Sequence, residues 1–215
     1  MFYLLIVALV VAIAFLVGYY FFRKDALYVL GIGAAVSANV YNVGTYGVMS
    51  GGIVWGVDTI IYTLFAFCII VACKDYGKKT AMAIIYSSMA GIMLTAFFDF
   101  MAKWMAFGFA EDLIWGFLSF TFSTIATFVA IFVAVILFEK LRDKVQCWLN
   151  MGLNILIISV INTFIYFGLM ALIGGLGSNF GITLLGSYIV KFVTLIFFVE
   201  IYYLTNYLIV KKERK

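Results

Sequence analysis

The chain has 215 residues, of which 67% are hydrophobic and only 11% charged, with a mean hydropathy of +1.18. A water-soluble domain of this size is about half apolar and about a quarter charged, so the composition excludes one and points to an integral membrane protein. The formal net charge of +4 sits in short clusters between apolar runs, the pattern of membrane-flanking loops and not of a nucleic-acid-binding surface.

Lipid offers the backbone no hydrogen bonds, so only helices and closed barrels span it. The apolar runs here are continuous and not alternating, which selects helices. Seven runs emerge, at 2–22, 27–49, 53–73, 80–100, 113–138, 148–173 and 182–210. Each is near or above the ~20 residues that cross a bilayer. The predicted fold is an all-α polytopic bundle of seven transmembrane helices in one domain over 1–215. It comprises an extra N-terminal helix at 1–22 and a six-helix core at 27–210.

In chain order, the first run has no basic segment before it and no small-residue cleavage site, so it reads as a retained helix and not a signal peptide. The second, "GIGAAVSANVYNVGTYGVMSGG", places small residues at Gly31, Ala34, Ala35 and Ala38, which let helix backbones approach closely. Asn39 and Asn42 follow, then Gly44 and Gly47. Two readings stand: a packing helix with a loose outer end, or a helix that lines a cavity and offers amides to a ligand. Between the runs, "RKD" (23–25), "KDYGKK" (74–79), "EKLRDK" (139–144) and "KKERK" (211–215) are basic. "SGG" (50–52) and "GGLGSNFG" (174–181) are uncharged, and "KWMAFGFAED" (103–112) is mixed. Seven spans put all the basic stretches on one face, which the positive-inside rule makes cytoplasmic. The expectation is a multi-pass protein of the cell membrane, N-terminus outside and C-terminus inside.

Four ionisable residues fall within the runs: Asp58, Asp99, Lys191 and Glu200. An ionisable group in a span is costly and marks a functional site by default. At 1.5 Å per residue, Asp58 lies about 9 Å and Lys191 about 14 Å below the outer face. Asn42 matches the first depth, Asn39 lies deeper, and Asn162 is near the midplane. These residues come from four helices and share the outer half of the membrane, as a polar pocket open to the outside requires. Ser187 and Thr194 extend a polar stripe around Lys191, with Tyr188 beside it. Lys191 pairs either with Asp58 or with a ligand. Glu200, nine residues on, is half a turn out of phase; it is a further candidate, set against snorkelling toward the cytoplasm. Asp99 is interfacial. Tyr41, Trp55, Tyr62 and Tyr166 are aromatic candidates to stack on a flat ligand.

The candidate substrate-binding set is therefore Lys191, Asn162, Asp58, Asn39, Asn42, Tyr188, Thr194 and Glu200. Histidine is absent, and Cys68, Cys73 and Cys147 read as free thiols with no metal spacing. The chain carries no phosphate-binding glycine loop, no zinc-protease motif and no nucleophile elbow, so neither an enzyme nor a cofactor is expected. A channel wants a ring of repeated polar groups, which is not seen. Binding and moving a small molecule remains, with a non-transport membrane subunit and a retinal-type photoreceptor as alternatives.

Three segments carry a resemblance: "DYGKKTA" after the third run, "NTFIYF" in the sixth and "SYIVKFVTLIFFVEIYYL" in the last. With Ala38 followed by Asn39, they resemble the queuosine-precursor transporters, or vitamin uptake transporter family, over 27 to about 208. The resemblance implies a six-helix carrier similar in fold to the substrate-binding subunits of energy-coupling-factor transporters. It implies a 7-deazapurine or related substrate, and places Lys191, Asn162 and Thr163 in the ligand pocket. The family usually has Asp where this chain has Asn162. Implied partners are the small molecule, the bilayer, and an energy-coupling module or a second copy; the alternative to a self-sufficient carrier is a substrate-binding subunit of an ATP-driven energy-coupling-factor transporter.

Overall fold

A computed structural model describes the backbone of residues 2–40, 46–48, 54–108, 111–172 and 180–213. Within these, side chains at 2–5, 39–40, 46–48, 54–58, 107, 111–113, 180–184, 187 and 213 lie outside the description. The order is α1 (Phe2–Phe22), α2 (Lys24–Val40), β1 (Tyr46–Val48), β2 (Val54–Gly56), α3 (Val57–Tyr76), α4 (Lys78–Phe107), α5 (Glu111–Leu141), α6 (Cys147–Leu172) and α7 (Phe180–Glu213). The described residues form an all-α bundle of seven helices, with one short two-stranded ribbon beside them. Helices α3 to α7 are each long and apolar enough to cross a membrane, and the apolar stretch of α1 is the shorter Ile6–Phe22.

The centre of the bundle is α3. Every residue from 63 to 73 is buried, and each of the other six helices packs against it. A helix apolar all round has to be enclosed or to face lipid; this one is enclosed. Helix α1 contributes a stripe of Ala8, Ala12, Phe15 and Tyr19, all at most 2% exposed, at the spacing of one helical face. Phe15 meets Phe67 edge-on at 5.2 Å, and Phe67 meets Phe198 at 5.4 Å. The first helix thus contributes to the core of the bundle. The small residues of α2 do bring backbones together: a Cβ at Gly31 would stand 3.0 Å from Ile84.

Two boundaries differ from those the apolar runs give. The second run does not stay helical to 49, since α2 ends at Val40. Residues 46–48 and 54–56 instead pair as a short antiparallel ribbon in the register Tyr46↔Gly56, Gly47↔Trp55, Val48↔Val54. Each helical glycine costs about 1 kcal/mol relative to alanine, and this stretch has Gly44, Gly47, Gly51 and Gly52. Strand pairing satisfies the backbone instead, and β2 packs on α7. The second difference is at 74–79, read as a loop. Here α3 continues through Tyr76, and Gly77 at φ +85° is the one residue between α3 and α4. Asp99 is well inside α4, paired with Lys103 at 2.6 Å on the exposed face.

The basic turns meet at one end of the bundle. Tyr19 Oη, near the end of α1, donates to Asp75 Oδ2 at 2.5 Å. Arg142 Nη2, just after α5, donates to the Lys74 carbonyl at 2.9 Å.

Candidate functional site

Lys191 lies eleven residues into α7, roughly 16 Å along it. It is 8% exposed. Its ammonium stands 5.4 Å from the ring centroid of Tyr62 on α3 and 5.8 Å from that of Tyr188 on its own helix. Both rings are within range for a cation–π attraction, which strengthens when water is excluded.

The Tyr62 hydroxyl faces the side chains of Thr127 on α5 and Asn162 on α6. The approach is close enough for weak bonding, but no hydrogen bond of good geometry closes there: among the described residues, Tyr62 Oη and Asn162 Oδ1 are buried and lack a well-formed partner. The same holds for Thr194 Oγ1, three residues from Lys191 and fully buried. A polar atom left so costs about 1–3 kcal/mol, and nearly all buried polar groups in folded proteins have partners. A neighbouring pair shows ordinary satisfaction, with Tyr166 Oη and Ser119 Oγ 3.0 Å apart across α5 and α6. Three polar atoms without a well-formed partner around one buried lysine therefore describe a place where water or a ligand completes the bonding.

Of the sequence candidates, Lys191 and Asn162 approach Tyr62, while Tyr188 and Thr194 flank Lys191 on α7. Glu200 does neither: it is exposed on the outside of α7, on a different face from Lys191. Asp58 precedes Tyr62 by one turn of α3, and Asn39 sits near the end of α2. The side chains of both lie outside the described residues, as does all of Asn42 and Tyr41. Thr127 was not singled out by sequence. Its signal is faint, because hydroxyls in apolar helices commonly bond their own backbone, as Thr121 and Thr124 do on α5.

A second polar cluster occupies the end with the basic turns. Asp75 accepts from Tyr19 Oη at 2.5 Å and from Tyr202 Oη at 2.8 and 2.9 Å. Lys74 donates to Tyr202 Oη, lies 3.6 Å from Asp75 Oδ1, and sits 4.3 Å from the Tyr202 ring centroid. Beside it, Cys73 donates to Glu139 Oε1 at 3.3 Å, and Glu139 pairs with Arg142 at 3.5 Å. Sequence reading missed this cluster because it assigned residues 74–79 to a loop.

All three cysteines are free thiols. No group of three metal-ligating side chains occurs among the described residues. The chain matches no family model, no curated protein and no solved structure.

Proposed function

We propose that the protein is a membrane carrier that takes up a small planar polar molecule, held between α3, α5, α6 and α7. The observation that carries the reading is the set of buried atoms without a well-formed partner, Tyr62 Oη, Asn162 Oδ1 and Thr194 Oγ1, beside the buried Lys191 ammonium. Hydroxyl and amide oxygens accept from ring N–H groups, hydroxyls and the ammonium donate to ring nitrogens or carbonyls, and the tyrosine rings offer faces for stacking. A purine-like base, including the 7-deazapurines that the family resemblance implies, presents that chemistry. In this reading five or more helices cross the cell membrane, the basic turns face the cytoplasm and the N-terminus is outside.

The test is a melting-temperature screen of the purified protein with purines, 7-deazapurines and flat vitamins. A binder at a hundred times its Kd stabilises the folded state by about 2.7 kcal/mol. That shift is expected with wild type and is expected to vanish in Asn162→Leu and Lys191→Met. A screen in which no compound shifts the wild-type melt, or in which these variants respond as wild type does, overturns the pocket.

A further inference from the structure

We infer that the cluster of Tyr19, Lys74, Asp75 and Tyr202 is the inner gate of this carrier. It is a polar latch that joins α1, α3 and α7 and must open before a molecule in the Tyr62–Asn162–Lys191 pocket can leave toward the basic turns. The inference rests on the carrier reading above and adds to it how release is controlled.

Pocket and latch are carried on the same two helices. Tyr62 and Asp75 are thirteen residues apart on α3, roughly 20 Å; Lys191 and Tyr202 are eleven apart on α7, roughly 16 Å. A shift of α7 against α3 therefore changes both places together. Between them the bundle is filled by rings from these helices and α1: Phe15, Phe67 and Phe198 are each fully buried, with Phe67 in contact with the other two. Tyr202 belongs to both the filling and the latch, since its ring meets Phe67 at 6.2 Å while its hydroxyl bonds Asp75. Breaking the hydroxyl contact frees the ring that packs against this filling.

The cluster is suited to open and reclose. Its hydrogen bonds run between side chains of different helices, 56 and 127 residues apart in sequence. The Lys74 and Asp75 side chains remain 24% and 22% exposed, so water reaches them and can replace each bond as it breaks. Lys74 can follow Asp75 or stay over the Tyr202 ring, because it contacts both.

The test uses the full chain in membrane vesicles and needs no substrate. Thr127→Cys places a thiol in the pocket, Cys147→Ser removes the half-buried native thiol, and a membrane-impermeant maleimide is supplied from either side. Labelling is counted as the excess over the same protein without Thr127→Cys. From the side of the basic turns, labelling is expected to be negligible with the latch intact. It is expected to rise at least tenfold in Tyr19→Phe combined with Tyr202→Phe, which keeps both rings, and in Asp75→Asn. Unchanged labelling from that side in both backgrounds, while the opposite side labels normally, overturns the gate and leaves the pocket standing. A thiol at 127 that reacts from neither side in any background overturns the pocket and the gate with it.

Discussion

Replacing Tyr62 by Phe should make the empty protein more stable and blind to its ligand. The substitution removes one oxygen and keeps the ring that faces Lys191 at 5.4 Å and Phe65 at 6.4 Å. That oxygen is buried and has no well-formed partner among the described residues, so where the ligand and not water completes its bonding, its removal from the empty protein relieves a desolvation penalty of about 1–3 kcal/mol. For a chain of this size each kcal/mol moves the melting temperature by about 2–4 °C. Thermal unfolding of purified wild type and Tyr62→Phe, followed by tryptophan fluorescence, should show an upward shift of that size without ligand. With a binder from the screen the order should narrow or reverse, because only wild type gains. Thr194→Val should behave in the same direction for the same reason. A fall of several degrees in Tyr62→Phe without ligand would refute the reasoning, for it would mean that the hydroxyl is well bonded inside the folded chain.

Two further substitutions probe how the helices are joined. Gly31→Ala pushes a methyl to 3.0 Å from Ile84 and 3.5 Å from Cys68 and should lower stability by about 1–3 kcal/mol through overpacking; Gly33→Ala on the same helix meets nothing within 4 Å and should raise it by about 0.5–1 kcal/mol, so equal melts for the two would contradict the close approach of α2 to α4. Gly77→Ala has open space but φ +85° and ψ 168°, a region essentially confined to glycine, and should cost about 1–3 kcal/mol from backbone strain alone, with Gly77→Asn no better, as read by thermal unfolding of the three proteins side by side.

Long apolar runs made most of the helices legible, since length and continuous hydropathy are written in composition. What composition does not record is where a helix yields to another pairing. Residues 46–48 are as apolar as a helix end, yet glycines on both sides of them favour a ribbon. Charge was a poor guide in the other direction: Lys74 and Asp75 looked like loop residues, although α3 runs through them and their partners are hydroxyls on helices distant in sequence. The site was partly legible because ionisable groups are rare in this chain. Phase along α7 was enough to separate Lys191 and Thr194, which are buried, from Glu200, which is exposed. Thr127 was not legible, because nothing in its local sequence distinguishes it from threonines bonded to their own helix. Tyr62 was one of four aromatics that the sequence set near the polar groups, and its contact with the Lys191 ammonium is what the sequence could not give.

The enclosure of α3 has a consequence for how the chain is assembled. It is the third helix made, but four of the helices that cover it, α4, α5, α6 and α7, are made afterwards. If the bundle is built in a bilayer, α3 must first be stable against lipid and later against protein, two solvents in succession. Its middle suits both: residues 64–73 carry no polar side chain but the thiols, and the hydroxyl of Thr63, just ahead of them, bonds the Thr59 carbonyl on the same helix at 2.7 Å, which needs no neighbour. Two groups that do need neighbours, Lys74 and Asp75, come after this stretch and stand near the end of the helix. There they can wait in the wetter zones of the membrane until the later helices arrive.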